Sequence, residues 1–231
     1  MEKDISRKKQ LLTLLINKPG WVISKTITKQ LSCSEKTIYK DIKSLSTILP
    51  AGWNIQVKKG KGIQLCKTTD ASLQEVLFIL TKSTLQFKII KILFFKKINS
   101  ITQLSQDLFT QPSSIVQNIK KLNQNLFTYQ LKCVSRPIEL KGQELQIRIY
   151  YFQFFFQTYG QIQWPFQYHL DMLNQYLDDI ENTLQIDFSI DAKQKCLYWL
   201  AIIFHRIQQG HVIIEDNPLD SVIKETYFFE R

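Results

Sequence analysis

The sequence predicts a mainly α-helical protein, with two tandem winged helix-turn-helix domains carrying small β-wings, followed by a helical bundle domain. Apolar residues recur at helical spacing over most of the chain. A hairpin rich in lysine and glycine follows the third helix, and the same apolar pattern returns 77 residues later. Only 7 of the 231 residues are glycine and 6 are proline, which favours helices over turns.

The first winged helix-turn-helix domain is predicted over residues 1–68. A first helix over residues 5–17 ends at a proline-glycine pair. An extended piece, residues 21–23, leads into a short second helix that Ser24 is expected to cap. A tight turn precedes the third helix, whose N-cap is expected to be Ser34, because a hydroxyl group can accept a free amide hydrogen there.

The third helix, within residues 31–49, is the predicted DNA-recognition helix. One face is apolar, with Ile38, Ile42, Leu45 and Leu49 at helical spacing. The opposite face and its edges offer ammonium and hydroxyl groups. The candidate DNA contacts there are Ser34, Lys36, Thr37, Tyr39, Lys40 and Lys43. An ordinary surface helix with a solvated lysine face would show the same pattern, so the neighbouring elements decide.

A basic hairpin follows this helix. Residues 53–57 and 63–65 alternate between apolar and polar, as strands do. The glycine turn between them carries three further candidate contacts, Lys58, Lys59 and Lys61. Helix, helix, turn, helix and hairpin is the order of a winged helix-turn-helix, whose wing lysines are expected to reach phosphates beside the third helix.

The second winged helix is predicted over residues 84–140, after a connecting helix within residues 69–83. Its apolar residues match the apolar residues of the first winged helix when the sequence is shifted by 77 residues. Its third helix is richer in amides, and its candidate contacts are Gln117, Lys120 and Lys121. Glutamine suits adenine edges, whereas lysine suits guanine and phosphate. A packing or dimer module that touches little DNA is the open alternative.

The rest of the chain is predicted to be helical. An aromatic helix begins near Gly142 and closes a second domain over residues 69–160. An acidic helical domain, residues 161–231, contains helices over residues 168–184 and 192–209. Ser189 or Asp191 is expected to cap the second of these, and a further break is expected at the sequence Asp216-Asn217-Pro218.

Charge is spread unevenly along the chain. Residues 1–68 hold 14 lysines and arginines against 4 acidic residues, and residues 69–160 hold 11 against 5. Residues 161–231 reverse this, with 5 against 11. The basic part is expected to attract a polyanion, and double-stranded DNA is the predicted partner.

Several classes of protein are disfavoured. The first residues have no apolar signal core, and no apolar run is long enough to span a membrane, so we expect a cytoplasmic protein. Four scattered cysteines without a CxxC motif predict reduced thiols and no metal site. HExxH, GxSxG, Walker and dinucleotide-binding motifs are absent, which predicts no enzyme activity and no cofactor. A plasmid replication initiator, which can also use tandem winged helices, is the alternative function.

The order of two winged helices, the sequence KGQELQIRIYYFQFF and an acidic helical region resembles the Mga/AtxA class of transcriptional regulators of Gram-positive bacteria. The resemblance implies DNA-binding activation of virulence or colonisation genes. It also implies a regulation domain of the sugar phosphotransferase system, phosphorylated on histidine by the phosphocarrier protein, and we expect a homodimer. Members are about twice this long, so the chain is expected to be a fragment or a short relative.

The phosphorylation site carries over only in part. Related regulation domains hold the histidine about seven residues ahead of an arginine, and counting back from Arg206 reaches Trp199. His205 is the nearest candidate on this helix. An ordinary histidine on a partly buried helix face is the alternative.

Overall fold

A computed structural model describes residues 3–213 of the chain. These residues form ten α-helices and four short strands, which confirms the predicted mainly α fold. They divide into two compact units, residues 3–96 with 101–121 and residues 97–100 with 122–213. The domain boundaries proposed from the sequence stay predictions.

The first unit begins with a three-helix arrangement and a hairpin. The elements are α1 (Lys3–Asn17), α2 (Ser24–Leu31), α3 (Glu35–Ser46), β1 (Trp53–Lys58) and β2 (Gly62–Lys67). The strands pair antiparallel, with Trp53 opposite Lys67. Apolar side chains from all three helices and the hairpin are fully buried in one core, among them Leu11, Leu12, Ile27, Ile38, Leu45 and Ile63.

The two predicted N-caps of this part have different outcomes. The Ser34 hydroxyl oxygen accepts a hydrogen bond from the Thr37 amide at 3.2 Å, so Ser34 caps α3 as predicted. The prediction for Ser24 is wrong, because Ser24 is itself the first helical residue. Ile23 precedes it in an extended conformation, without a capping side-chain hydrogen bond.

The hairpin is fastened to the segment before α2. The Val22 and Ile63 backbones exchange hydrogen bonds of 2.8 and 2.9 Å. Gly62 has a φ of +110°, and a Cβ atom there would lie 2.2 Å from the Val22 carbonyl oxygen. Glycine is therefore required at position 62 for the backbones to approach this closely.

The predicted repeat is present in the structure. After α4 (Leu73–Ser83) come α5 (Leu85–Phe95), α6 (Ile101–Asp107) and α7 (Pro112–Leu126). Most residues matched by the 77-residue shift have the same burial: Ile38 and Ile115 are both fully buried, and Leu45 and Leu122 are at most 4% exposed. The pairs Leu15 with Ile92 and Leu49 with Leu126 differ, because one member of each is only partly buried. The shared apolar pattern therefore reflects a shared packing arrangement.

The helix-turn-helix turn is repeated in detail. Ser32 and Phe109, which are 77 residues apart, both have a φ of +49°. In each turn the next amide donates to the carbonyl oxygen five positions earlier, that of Thr28 or Ser105, at 3.2 and 3.0 Å. The two turns thus have the same backbone conformation.

The second unit contains the second hairpin and three longer helices. The hairpin is β3 (Lys132–Ser135) and β4 (Ile138–Lys141), and the Ile138 amide donates to the Ile98 carbonyl oxygen at 2.9 Å. This bridge reproduces the one between Val22 and Ile63. The helices are α8 (Glu144–Tyr159), α9 (Leu170–Leu184) and α10 (Ile190–Gln208).

The aromatic helix α8, whose apolar residues on every side had suggested complete burial, is not buried on all sides. One face is buried, through Ile147, Tyr151, Phe155 and Tyr159 at a spacing of four residues. The remaining aromatic residues are half-buried. Phe152 stacks on Trp199 of α10 with ring centroids 4.7 Å apart, and Phe156 contacts Tyr198 of the same helix. Ser189 caps α10 by accepting a hydrogen bond from the Ala192 amide at 3.2 Å.

Two further points concern the whole chain. Among residues 3–213, no helix combines the length and apolar character needed to cross a bilayer. The break predicted at Asp216-Asn217-Pro218 lies outside the described residues.

The two hairpin glycines provide a matched stability test. Gly60 has a φ of +81° but open space around its Cβ position. Gly60→Ala should therefore cost only the left-handed backbone conformation, about 1 kcal/mol. Gly62→Ala should cost roughly 2 kcal/mol more, because separating the strands breaks two backbone hydrogen bonds worth about 1 kcal/mol each. Urea denaturation of both variants measures the difference. Equal losses would show that the Val22 contact does not hold the wing.

Candidate nucleic-acid interface

The outward face of α3 carries the predicted contact residues. Lys36, Tyr39, Lys40 and Lys43 are exposed, whereas Ile38, Ile42 and Leu45 on the opposite face are buried. Twelve helical residues at 3.6 per turn give just over three turns, so these side chains are spread along one side of the helix. The prediction that this face is polar and open to solvent is confirmed. Contact with DNA stays a prediction.

Two of the candidates at the start of α3 also have a structural task. The Ser34 and Thr37 hydroxyl oxygens lie 2.9 Å apart, and Ser34 also accepts the Thr37 amide hydrogen. Tyr39 places its hydroxyl 3.4 Å from that of Ser24 in α2. These contacts hold the start of α3 and join it to α2.

An ion pair fixes α3 against α1. The Arg7 guanidinium donates to both Asp41 carboxylate oxygens, at 2.5 and 3.0 Å, and the Asp41 side chain is only 4% exposed. The hydrogen bond with Asp41 raises the pKa of Arg7. One residue along α1, the Lys8 ammonium donates to the Ser44 hydroxyl at 2.9 Å. Sequence reasoning missed Asp41, although a lone carboxylate next to the apolar face of α3 signals a buried partner.

The first wing carries three exposed lysines. Lys58, Lys59 and Lys61 surround a turn in which the Lys61 amide donates to the Lys58 carbonyl oxygen at 3.1 Å. Within residues 3–213, no ion pair or side-chain hydrogen bond engages these lysines or the three of α3. These six positive charges therefore remain uncompensated, as a phosphate-binding surface requires.

Helix α7 presents a different outward face. Its buried face consists of Ile115, Ile119, Leu122 and Leu126. Its exposed residues include Ser113, Val116, Gln117, Lys120, Lys121 and Gln124. The predicted contacts Gln117, Lys120 and Lys121 thus lie on the exposed face, and their contact with DNA stays a prediction. Proline at the first helical position suits the start of α7, because the amide hydrogen it lacks would have no helical partner.

The second hairpin is held by an asparagine that sequence reasoning did not single out. The Asn123 carboxamide accepts the Cys133 amide hydrogen at 2.7 Å and donates to the Cys133 carbonyl oxygen at 3.0 Å. A side-chain amide satisfies both backbone groups of β3 at this point. The last turns of α7 and the hairpin are joined by this contact.

The candidate phosphorylation site lies on α10. His205 is half-buried, and one of its ring nitrogens is 3.0 Å from the Gln209 side-chain nitrogen. The position seven residues before Arg206 is occupied by Trp199, which stacks on Phe152. Phosphorylation of His205 stays a prediction, because a position on a partly buried face suits both a phosphorylation site and an ordinary histidine.

Arg206 belongs to a buried ion cluster. Its guanidinium donates to the two Glu144 carboxylate oxygens at 2.9 and 2.6 Å, and Arg148 donates to Glu144 at 3.0 Å. Burial would raise the pKa of Glu144, but the hydrogen bonds and charges of the two arginines outweigh it and lower that pKa. The cluster joins the start of α8 to the end of α10.

Metal-ligating residues do not cluster in the described range, residues 3–213, where no group of three or more His, Cys, Asp or Glu could hold an ion. All four cysteines are free thiols, and burial raises the pKa of Cys133 to about 12.

Two family models match the chain. The model of the M protein trans-acting positive regulator (MGA) HTH domain matches residues 2–61, and that of the Mga helix-turn-helix domain matches residues 69–155. Together they cover more than half of the chain, from α1 to β1 in the first winged helix and all of the second.

Three curated relatives come from Bacillus anthracis. The chain is 34% identical to capsule synthesis positive regulator AcpA over 98% of its own length and 46% of the relative's. It is 33% identical to capsule synthesis positive regulator AcpB, over 92% of the chain and 44% of the relative. It is 28% identical to the anthrax toxin expression trans-acting positive regulator, over 92% of the chain and 45% of the relative. The chain thus spans a little under half the length of these relatives.

The Glu144 cluster predicts a pH-dependent stability. Glu144→Gln leaves Arg206 buried without its carboxylate, so unfolding should become easier by about 3–5 kcal/mol at pH 7. Because the folded pKa of Glu144 is lowered, its contribution is complete above the unfolded pKa of about 4.3 and is lost as pH falls through the folded value.

The matched control is the exposed ion pair of Glu139 with Lys141, in which the charged atoms are 2.8 Å apart. Glu139→Gln should cost less than about 1 kcal/mol. Denaturation of both variants and the wild type between pH 3 and 7 measures these effects. The stabilising role of Glu144 would be contradicted if Glu144→Gln lowered the free energy of unfolding no more than Glu139→Gln does. It would also be contradicted if the loss were the same at the lowest pH as at pH 7.

Proposed function

Because the chain belongs to the Mga/AtxA family of transcriptional regulators, we propose that it binds duplex DNA and activates virulence or colonisation genes. The observation that carries the proposal is the uncompensated lysine surface formed by α3 and the first wing, on a fold of the helix-turn-helix class. The relatives are named as positive regulators, which supports activation.

The lysines supply affinity. A protein that neutralises phosphates releases the counterions condensed on DNA, so each ammonium–phosphate contact strengthens binding and steepens its dependence on salt. Lys36, Lys40 and Lys43 are available for this because none of them is paired within the described residues. Lys58, Lys59 and Lys61 would extend the same contact along the backbone beside the groove.

The second recognition helix supplies a different chemistry. Gln117 can pair with base edges, and Lys120 and Lys121 can neutralise phosphates. We propose that α3 and α7 of one chain both bind the same DNA duplex. The alternative, in which the second winged helix only packs or dimerises, would leave α7 free of DNA.

The helices that follow α8 are proposed to have a regulatory role. A homodimer, and phosphorylation of His205 by the phosphocarrier protein of the sugar phosphotransferase system, are parts of this proposal that rest on family membership. A cytoplasmic location is part of the same proposal, which includes no enzyme activity. Relatives named as regulators of gene expression favour this role over a replication initiator.

A duplex-binding titration at several salt concentrations tests the proposal. Alanine at Lys36, Lys40 and Lys43 together should weaken binding and make the slope of log affinity against log salt shallower by about 3, at roughly 0.9 per phosphate contact. Alanine at Gln117, Lys120 and Lys121 should weaken binding with a smaller change of slope, because only two of these three groups are charged.

The charge-matched control replaces three lysines that already have carboxylate partners. Lys141, Lys193 and Lys195 pair with Glu139, Glu181 and Asp191. Their alanine variant has the same net charge as the α3 variant but should bind almost as tightly as the wild type. Equal losses in both would mean that only overall charge matters, and unchanged binding in the α3 variant would remove α3 from the interface.

A further inference from the structure

The outward faces of α3 and α7 differ in one consistent way. The 77-residue shift places Lys36 on Ser113, Tyr39 on Val116 and Lys40 on Gln117. Two ammonium groups are thus replaced by uncharged groups at the start of α7. A hydroxyl group and a carboxamide stand in their place, and the aliphatic side chain of Val116, which is 50% exposed, replaces the aromatic ring of Tyr39.

Val116 is unusual for its position. It lies on the exposed side of α7, although four other residues of that helix already provide its buried face. Serine, glutamine and lysine surround it on the helix surface, so it adds nothing to the core. An isolated aliphatic group among polar ones is suited to a partner that itself mixes methyl groups with hydrogen-bonding groups.

Gln117 is available for such a partner. Within residues 3–213, its side chain makes no hydrogen bond, whereas the next carboxamide, that of Asn118, is buried and donates to the Ser114 carbonyl oxygen at 2.9 Å. The two successive amides therefore have different tasks, one inside the fold and one outside it.

We propose that α7 reads an A·T base pair in the major groove, with the Val116 isopropyl group against the thymine C5-methyl and the Gln117 carboxamide on adenine. Thymine is the base that presents a methyl group in this groove, and adenine offers the N6 donor and N7 acceptor that match a carboxamide. The inference rests on the proposed function and specifies what the second helix recognises.

The position within the helix supports this assignment. Val116 and Gln117 are the fifth and sixth residues of α7, in the N-terminal half that normally contacts base edges in helix-turn-helix proteins. Lys120 and Lys121 follow one turn later and suit the phosphates that flank the base pair. The first recognition helix has Tyr39 and Lys40 at the matched positions, so it lacks this pair of an aliphatic group and a carboxamide.

The experiment removes a single methyl group from the DNA. Binding sites for the full chain are first selected from a random duplex pool, and each thymine is then replaced in turn by deoxyuridine, which lacks only the C5-methyl. At one thymine the wild type should bind about fourfold more weakly after replacement, as expected for one buried methyl group. Val116→Ala should bind the two duplexes equally.

Two further variants sharpen the result. Gln117→Ala should lose the preference for adenine at that base pair but keep the difference between thymine and uracil. Ile190→Ala is the matched control, because Ile190 is an aliphatic residue on α10 that is 84% exposed. It should reproduce the wild-type ratio between thymine and uracil duplexes.

The outcomes separate this inference from the proposed function. Duplex binding without any thymine–uracil difference, or with a difference that persists in Val116→Ala, would overturn the inference and leave DNA binding intact. Absence of duplex binding by the wild type would overturn the proposed function and the inference with it.

Discussion

The structure depends on burying one apolar face of α3 and one of α7. Ile38 and Leu45 of α3, and Ile115 and Leu126 of α7, have no exposed surface. Removing such side chains from water contributes about 1.5–3 kcal/mol each. A helix whose one face is held this firmly must present the opposite face to solvent, so core packing alone decides which side chains a DNA duplex can meet.

The same packing pattern is used twice with different outward chemistry. The turns before α3 and α7 share their backbone conformation and hydrogen bonding, and most of the matched apolar residues share their burial. The exposed positions differ between the two helices, and these positions do not contribute to the core. Affinity and specificity would be divided between the two helices, because α3 offers lysines to phosphates and α7 offers an amide and an aliphatic group to bases.

Local sequence signals predicted the helices, both hairpins and the cap at Ser34, since each depends on residues a few positions apart. They left the cap of α10 open between Ser189 and Asp191, and the repeat was predicted from the shared apolar pattern 77 residues apart. Long-range polar pairs were not predictable from spacing. Arg7 is 34 residues from Asp41, and Arg206 is 62 from Glu144. Which charges meet across such distances is decided by the tertiary fold. Ser24 was misassigned because the extended conformation ends one residue earlier, at Ile23.

The proposal that α3 and α7 bind one duplex is tested most directly by hydroxyl-radical footprinting of the full chain on a selected site. Each helix that enters a groove shields the sugars on either side of it. Two separate protected stretches are expected on the same duplex. A single protected stretch would contradict the use of both helices, and a duplex with no protected stretch would contradict DNA binding by this chain.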